Sequence, residues 1–374
     1  MLKKLYVGNY KSLDNFECEF DNLNLILGSN GNGKSTVFEV LRNIRDFATG
    51  RSPISIFSES TLTRWFEQDT QSFELTIEGN NGVYVYRLEV EHERGKNKQR
   101  VCNESVTFEG KALLHADARE WRLLQYESGT EPIFFPANQM QSVLPSIGED
   151  PRYTHIAWLR QWFDEKLLCL QIDPLHMKPM AAANEWKLDE NATNFVGWYR
   201  NKIASDSDAT MRVRQAMTEL YGGPVRLSLE REGGDILHLK ITMEVEQGEN
   251  THPSVATYSF SELSDGERSL IVLYTLLQLL DDPEVTLCLD EPDNYVALSE
   301  IQPWCISLRD KTDLAGSQAL LISHHPQIID YFAPSYGLVF ERDGNGRSSV
   351  HRFKVEDSMP DALSASEIFA RGWE

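Results

Sequence analysis

The residues that decide the fold are Gly28-Ser29-Asn30-Gly31-Asn32-Gly33-Lys34-Ser35, which match the phosphate-loop pattern at every fixed position. An apolar segment, Leu23 to Leu27, leads into this stretch. After it, apolar residues recur at the spacing of a helix, at Val37, Phe38, Leu41, Ile44 and Phe47. The order of strand, glycine loop and helix is the context that a phosphate loop requires. The sequence therefore predicts such a loop, with a chance glycine-rich turn as the alternative.

Each residue type in this loop suits a triphosphate that carries a magnesium ion. Glycines allow backbone N–H groups to point at phosphate oxygens, and the positive end of the following helix points to the same place. Lys34 would contact the β- and γ-phosphates, and the Ser35 hydroxyl would bind Mg²⁺. The predicted nucleotide contacts in this segment are Gly28, Ser29, Asn30, Gly31, Asn32, Gly33, Lys34, Ser35 and Thr36.

A second strand end, late in the chain, carries two carboxylates. The continuous apolar run from Val285 to Leu289 ends in Asp290 and Glu291. Asp290 would hold Mg²⁺, directly or through water, as strand-end aspartates do in phosphate-loop ATPases. Glu291, next to it, is well placed to polarise the attacking water. The alternative is an acidic surface loop, but the strand that leads into it is too apolar for an exposed position. These two residues therefore predict the other half of the site.

The wider pattern predicts an α/β fold. Apolar runs without alternation, such as Val285 to Leu289 and Ala319 to Ile322, are typical of buried parallel strands with helices on both faces. Alternating residues between 72 and 114, with a turn at Asn80-Asn81-Gly82, predict an antiparallel β section. Helical spacing over 155–170 and 191–221 predicts a helical insertion. We expect a mixed sheet core that carries both additions.

The composition is that of a globular protein outside the membrane. Of 374 residues, 41% are hydrophobic and 25% are charged, which allows a large buried core. No apolar run has membrane-spanning length, and the five scattered cysteines show no metal or redox spacing. We therefore expect a cytoplasmic protein. The net charge of −21 argues against a uniformly basic nucleic-acid surface but permits a local basic groove.

Together these elements resemble the ABC-type ATPases of the SMC, Rad50, RecF and OLD group. Five motifs stand in that group's order along nearly the whole chain. They are Asn9-Tyr10-Lys11-Ser12, resembling the N-terminal motif, the loop Gly28 to Ser35, Leu263-Ser264-Asp265-Gly266-Glu267, resembling the signature motif, Asp290-Glu291-Pro292-Asp293, resembling Walker B and the D-loop, and His324, resembling the switch histidine. The resemblance implies a P-loop NTPase fold of ABC-ATPase type, with ATP and Mg²⁺ as cofactors.

The resemblance also implies a homodimer that sandwiches two ATP molecules. The residues that it adds to the nucleotide contacts are Lys11, Gln139, Ser264, Gly266 and Asp293. Ser264 and Gly266 would cap the nucleotide held by the other copy. Glu291 and His324 would be catalytic, with His324 sensing the γ-phosphate. For the Q-loop both Gln139 and Gln141 are candidates, and either could be a plain surface glutamine.

The number of residues between the motifs indicates which members of this group the chain resembles. Lys34 and Ser264 are about 230 residues apart, more than a transporter ATPase usually carries and far less than a long coiled-coil insertion requires. The chain therefore resembles the RecF/OLD-like ATPases without coiled coil that occur in bacterial phage-defence and abortive-infection systems. In its signature motif, Asp265 and Glu267 flank Gly266, where the group usually has two glycines and a glutamine. The predicted domains are an ATPase lobe over 1–140, a mainly helical insertion over 141–223 and a second ATPase lobe over 224–374.

We therefore expect a Mg-ATP-dependent ATPase that acts as a dimerising switch in antiphage defence, through a separately encoded nuclease or toxin. The alternative is a RecF-like DNA-repair ATPase that binds DNA, for which the basic hairpin from Arg94 to Arg100 is a possible contact. A solvated loop is the simpler interpretation of that hairpin. Trp158, Trp162 and Phe163 indicate a core-facing helix stripe rather than a base-stacking platform. A third hypothesis is an ATP-binding scaffold whose hydrolysis is incidental.

Overall fold

The computed structural model describes residues 1–117, 120–123, 133–136, 138–147, 151–202, 206–231, 234–245, 254–354 and 363–372. This part of the chain forms three β-sheets and eight α-helices. In chain order the strands are β1 (Leu2–Gly8), β2 (Phe16–Glu19), β3 (Leu23–Gly28), β4 (Thr70–Gly79), β5 (Gly82–Glu93), β6 (Lys98–Phe108), β7 (Lys111–Asp117), β8 (Glu120–Leu123), β9 (Ile133–Pro136), β10 (Leu167–Leu170), β11 (Met180–Ala181), β12 (Val225–Arg231), β13 (Leu237–Val245), β14 (Ser254–Ser259), β15 (Thr286–Asp290), β16 (Gln318–Ile322), β17 (Gly337–Arg342) and β18 (Ser348–Arg352). The helices are α1 (Lys34–Ala48), α2 (Thr154–Gln161), α3 (Phe195–Lys202), α4 (Ser207–Tyr221), α5 (Asp265–Leu276), α6 (Leu298–Ala315), α7 (Pro326–Tyr336) and α8 (Ala365–Ala370).

The central sheet has the strand order β10-β15-β16-β3-β17-β18. Its first five strands are parallel, and β18 pairs antiparallel with β17. Every residue of β3 and β16 is buried, which accounts for their mainly apolar sequence, with Asn24 and Gln318 as buried polar residues. The predicted parallel strands β15 and β16 are confirmed.

The central sheet is covered on both faces because successive residues of a strand point to opposite sides. Ile26 and Leu320 pack in one core with α1 and the antiparallel sheet. Leu25 and Leu321 pack in a second core with α5, α6 and α7. This layering confirms the predicted α/β arrangement and places the start of α1 directly after a central strand.

The other two sheets are antiparallel. The larger has the order β2-β1-β4-β5-β6-β7-β8-β9, and its β4–β5 turn places Asn80 and Asn81 at positive φ, as a tight hairpin turn requires. This confirms the antiparallel section that the sequence predicts. In the smaller sheet, β13 pairs with β11, β12 and β14. Among the described residues, no helix combines the length and the apolar character needed to cross a membrane.

The prediction of one helix over 155–170 is wrong for its C-terminal part. Helix α2 stops at Gln161, a π-helical turn follows over Trp162–Lys166, and Leu167–Leu170 form β10 instead. A short apolar run fits a helix or a buried strand equally well, and pairing with β15 decides for the strand. The segment predicted as a helical insertion thus supplies a strand of the central sheet. Trp162 and Phe163 are fully buried, which confirms their prediction as core residues.

Glu104 on β6 is a fully buried carboxylate that ties a loop to the antiparallel sheet. Its Oε1 accepts hydrogen bonds from the hydroxyls of Tyr86 at 2.9 Å and Ser142 at 2.6 Å. Its Oε2 accepts one from the backbone N–H of Val143 at 3.0 Å. Burial raises the pKa of Glu104, and the three donors oppose that shift. The carboxylate therefore holds residues 142–143 against β6.

We expect Glu104→Ala to lower the free energy of unfolding by about 3 kcal/mol or more, because it leaves three buried donors without a partner. Glu74→Ala is the matched control, since Glu74 forms a partly exposed ion pair with Arg87 on the same sheet. That pair should contribute about 1 kcal/mol or less. Urea denaturation measures both variants, and equal losses would contradict the role of Glu104.

Candidate phosphate-binding site

The glycine loop connects β3 to α1 and is held between neighbouring strands. Gly28 adopts a φ of +144°, and a Cβ at this position would lie 2.4 Å from the carbonyl oxygen of Phe340 on β17. A Cβ on Gly33 would lie 2.6 Å from the Ser348 hydroxyl oxygen. Asn32 Nδ2 donates to the Phe340 carbonyl at 2.7 Å. The loop backbone is therefore fixed by contacts that leave no room for side chains at these two glycines.

Lys34 places its ammonium group inside the loop. Its Nζ donates to the carbonyl of Gly28 at 2.7 Å and to that of Ser29 at 3.1 Å. Burial lowers the pKa of Lys34, while Asp290 and Glu291 raise it. The N-terminus of α1, with its positive partial charge, lies at the same place. This arrangement favours an anion, and a phosphate group suits it.

Asp290 and Ser35 meet at the carboxyl edge of the central sheet. The exposed Ser35 side chain lies close enough to the Asp290 carboxylate to lower its pKa. Burial raises the pKa of Asp290, and Glu291 adds to that shift, whereas Ser35, Lys34 and Arg42 oppose it. An ionised Asp290 is thus stabilised by a further cation, and a hydroxyl with a carboxylate is an oxygen donor set that suits Mg²⁺. The residues present therefore fit the metal predicted here.

Glu291 has an unusual backbone conformation and a fixed side chain. Its φ is +48°, and its N–H donates to the Ile322 carbonyl on the neighbouring strand at 2.8 Å. Asn294 Nδ2 donates to Glu291 Oε2 at 2.8 Å. A left-handed conformation in a residue other than glycine persists only where its surroundings hold it, and such residues cluster at functional sites. Asn294 is a supporting residue that sequence reasoning missed, although it lies only three positions after Glu291.

The two histidines after β16 differ in their surroundings. His325 caps α7, since its Nδ1 accepts from the Gln327 N–H at 3.2 Å. His324 is exposed directly after the strand. Ser323 lies close enough to Asp293 to lower its pKa against the rise that burial causes, and Asp293 Oδ1 has no hydrogen-bond partner among the described residues. His324 therefore remains the predicted sensor of the two, whereas the histidine whose charge affects Asp293 is His325.

In the segment Leu263–Glu267, called the signature segment below, the acidic side chains have hydrogen-bond or ion-pair partners within the same chain. Ser264 caps α5, donating to Glu267 Oε2 at 2.8 Å and accepting from the Glu267 N–H at 3.3 Å. Asp265 forms an ion pair with Arg268, which offsets its charge. A Cβ on Gly266 would lie 2.6 Å from the Tyr295 carbonyl oxygen, so the start of α5 packs closely on the segment after Asp293. No hydrogen bond or ion pair joins Ser264 or Gly266 to the loop Gly28–Ser35 within the described part of the chain.

Two further predicted nucleotide contacts have partners elsewhere. The Lys11 ammonium binds the Glu39 carboxylate of α1, at 2.5 and 2.6 Å, so Lys11 lies against the helix one turn after Ser35. The backbone carbonyl of Gln139 accepts from the Val101 N–H of β6 at 2.8 Å. Gln141 Oε1 accepts from Asn138 Nδ2 at 3.0 Å. The roles predicted for Lys11 and Gln139 stay predictions.

Arg42 is a second residue that sequence reasoning missed. It lies on α1, and its guanidinium forms an ion pair with Glu190. Its positive charge opposes the rise in the pKa of Asp290 that burial causes. Ser35 and Arg42 are seven residues apart, which places both on one face of the helix. The helical spacing was visible in the sequence, but the proximity to Asp290 and Glu190 was not.

The basic hairpin that was a possible DNA contact carries carboxylate partners. Arg94 pairs with Asp69 at 2.5 Å and Arg100 with Glu91 at 2.6 Å. Lys96 pairs with Glu93. These pairs offset much of the positive charge that a DNA backbone would contact. The solvated-loop interpretation fits this arrangement better.

Comparison with known proteins gives the fold a reference. A family model described as an AAA domain matches residues 4–141, which include the glycine loop. An SMC head bound to the C-winged helix domain of ScpA is similar in structure, with a TM-score of 0.58, 14% identity, and coverage of 96% of this chain and 99% of that chain. The chain has an SMC head fold. An SMC head domain with an extended coiled coil, bound to the C-terminal domain of ScpA derived from Pyrococcus furiosus, has a TM-score of 0.50 at 12% identity and covers 94% of this chain and 95% of that chain.

The SMC head fold confirms the predicted fold class, an α/β P-loop NTPase fold of ABC-ATPase type with mixed and antiparallel sheets. At these identities the likeness concerns the fold. A search of curated proteins found no match. The matched AAA domain residues end before Ser264 and Asp290, so the second half of the site rests on its own geometry.

We expect Gly28→Ala to lower the free energy of unfolding by about 2–4 kcal/mol, because the added Cβ meets a backbone carbonyl on a paired strand. Gly31→Ala is the matched control. Gly31 has a φ of +85° but open space around it, so strain alone should cost about 1–2 kcal/mol. Guanidinium denaturation compares the two variants. Identical losses would show that the contact with Phe340 does not constrain the loop.

Proposed function

We propose that this chain is a Mg²⁺-dependent ATPase whose substrate is bound by Gly28–Ser35. The observation that carries the proposal is the meeting of three groups at one sheet edge. The Lys34 ammonium lies inside the loop, and the Ser35 hydroxyl lies beside the Asp290 carboxylate, whose pKa it lowers. A buried cation suits the β- and γ-phosphates, and the hydroxyl–carboxylate pair suits Mg²⁺. Bound there, Mg²⁺ would supply charge neutralisation for the transferred phosphoryl group.

In this mechanism each residue has a limited task. Backbone N–H groups of the loop and the Lys34 ammonium would stabilise the negative charge that spreads over the phosphoryl oxygens. Glu291, oriented by Asn294, would position the attacking water and accept its proton. His324, exposed after β16, would contact the γ-phosphate. Positioning and charge stabilisation account for most of the catalysis in such a reaction.

We infer further that the working unit is a homodimer with two composite sites. The signature residues Ser264 and Gly266 make no hydrogen bond or ion pair with the loop of their own chain in its described part. The start of α5 nonetheless has the helix N-terminus that attracts a phosphate. If the start of α5 capped the nucleotide held by a second copy, it would bind a phosphate without contacting the loop of its own chain. ATP binding would then join two copies, and hydrolysis would release them.

The dimer would act as a switch that signals to a separately encoded nuclease or toxin in bacterial antiphage defence. This context rests on the resemblance to RecF/OLD-like ATPases without coiled coil. A RecF-like role on DNA is less well supported, because the basic hairpin over residues 94–100 pairs its charges with carboxylates. The net charge of −21 also opposes binding of a long polyanion.

Glu291→Gln should slow ATP hydrolysis by about 100-fold or more, because it removes the general base. It should leave ATP binding intact and trap an ATP-bound dimer. Lys34→Ala should abolish ATP binding, and Glu341→Gln, which changes an exposed carboxylate on β17, should behave as wild type. Phosphate release and gel filtration with and without Mg-ATP provide the measurements. A Glu291→Gln protein with the wild-type rate would refute the catalytic assignment.

A mixing experiment tests the composite site. Lys34→Ala disables the loop but keeps the signature segment, whereas Ser264→Arg disables the signature segment but keeps the loop. Each protein alone should be inactive. Mixed heterodimers should regain hydrolysis, because one of their two sites combines an intact loop with an intact signature. A mixture that stays inactive, while both variants unfold at the wild-type denaturant concentration, would show that two copies do not share the site.

A further inference from the structure

Two cysteines lie directly opposite each other on neighbouring strands of the central sheet. In the parallel register of β10 and β15, Cys169 is level with Cys288. Both residues belong to the core that α1 and the antiparallel sheet share, so their side chains point to the same face of the sheet. Both are free thiols, and each is buried. Their spacing along the chain gives no sign of the pair, because only the strand register brings them together.

The spacing of the sheet allows a disulfide between these two residues, with some strain. Neighbouring strands lie about 4.8 Å apart, which is within the range of about 4.4–6.8 Å between the Cα atoms of a disulfide. The Cβ atoms of opposite residues keep about the same separation as the strands, whereas a relaxed disulfide holds them about 3.8 Å apart. A bond between Cys169 and Cys288 would therefore pull β10 and β15 towards each other. Strained disulfides are the readily reduced ones, and they include those that act in regulation.

The positive charge of Arg45 on α1 lies close to the Cys169 thiol. Arg45 Nη1 donates to the carbonyl of Leu167 at 3.4 Å, two residues before Cys169 on the same strand. The neighbouring Cys288 thiol and the Arg45 charge lower the pKa of Cys169, although burial opposes them. The thiolate is the form of cysteine that reacts with oxidants, so these surroundings favour a reaction at Cys169.

A small oxidant can approach the pair from the edge of the sheet. Strand β10 is the edge strand on this side of the central sheet. A cavity of about 270 Å³ reaches it, with Arg45, Leu167 and Leu168 in its lining. Hydrogen peroxide is little larger than water and fits in this space. Since edge elements open locally more readily than a core, the remaining step to the Cys169 sulfur requires only a local opening.

We propose that Cys169 and Cys288 form a reversible disulfide, with hydrogen peroxide as the oxidant, and that this bond slows ATP hydrolysis. In the first step the Cys169 thiolate attacks one peroxide oxygen, the O–O bond breaks, and the hydroxide that leaves takes up a proton to become water. Cys169 is then a sulfenic acid. In the second step the Cys288 sulfur attacks the Cys169 sulfur, the S–O bond breaks, and the thiol proton of Cys288 leaves with the hydroxide as a second water. Two thiols are thereby oxidised to one disulfide, and one peroxide is reduced to two waters.

The bond would act on hydrolysis through the position of β15. Cys288 lies two residues before Asp290 on this strand. In the strand order of the sheet, β10 and the glycine-loop strand β3 lie on opposite sides of β15. A bond that draws β15 towards β10 therefore draws Asp290 and Glu291 away from the glycine loop. This effect rests on the proposed ATPase function, whereas the disulfide itself does not.

The test treats the reduced full chain with dilute hydrogen peroxide, blocks the remaining thiols with N-ethylmaleimide in denaturant, and maps the peptides by mass spectrometry without reductant. We expect a linked peptide that joins Cys169 to Cys288 and lacks two hydrogens relative to the separate peptides. The same treatment should lower the rate of phosphate release from Mg-ATP about threefold or more, because catalytic groups tolerate little misplacement. Dithiothreitol should remove the link and restore the rate.

Single substitutions provide the controls. Cys169→Ala and Cys288→Ala should each lose the link and keep their own rate of hydrolysis after peroxide. Cys102→Ala is the matched control, since Cys102 is a partly exposed thiol on β6, and it should form the link and lose activity as the wild type does. Arg45→Gln should slow formation of the link, because it removes the charge that favours the Cys169 thiolate.

Three outcomes would overturn the proposal. One is a wild-type chain in which peroxide oxidises Cys102 while Cys169 and Cys288 both remain free to react with N-ethylmaleimide. Another is a linked peptide with an unchanged rate of hydrolysis, which would show that the bond does not control the site. The third is a loss of rate after peroxide that persists in Cys288→Ala, which would assign the effect to another residue.

The peptide map separates this proposal from the ATPase proposal. The linked peptide is measured on the wild-type chain without ATP, so it depends neither on hydrolysis nor on the folding of a variant. A reduced chain that hydrolyses no ATP would refute the ATPase proposal and the effect of the bond on hydrolysis together. The disulfide would then still be judged by the peptide map alone.

Discussion

The parallel register of three buried strands is the constraint on which the candidate site depends. Asp290 on β15 is level with Ile322 on β16, and Ile322 is level with Ile26 on β3. Two residues beyond Ile26, the chain enters the glycine loop at Gly28. Because the strands are parallel, their carboxyl ends share one edge, where open α/β sheets place their ligands. Segments more than 250 residues apart in sequence therefore meet within one site.

Charge at this edge is arranged so that the groups on the loop and on β15 affect each other. Burial disfavours the charged forms of both Lys34 and Asp290, lowering the pKa of the first and raising that of the second. Each partly offsets the shift of the other. A magnesium ion and a triphosphate would add a cation near Asp290 and anions near Lys34. The charges of the site are thus complementary to those of its proposed ligands.

The acidic residues Asp265 and Glu267, which flank Gly266 at the start of α5, have structural partners here. Glu267 completes the cap of α5, and Arg268 offsets Asp265. The charge of Asp265 is thereby offset at the helix start that is proposed to face a phosphate, and Glu267 is held within the cap. The close approach of Gly266 to Tyr295 brings this helix start against the segment that follows Asp293.

The sequence by itself determined the loop, its flanking strand and helix, β15 and β16, because glycine pattern, helical spacing and continuous apolar runs are local signals. Only the tertiary structure decided that Leu167–Leu170 form a strand, since that short apolar run fits either element until it pairs with β15. It also brought Arg42 to Asp290 and Lys11 to Glu39. Such contacts depend on how distant segments pack, and no local pattern encodes them.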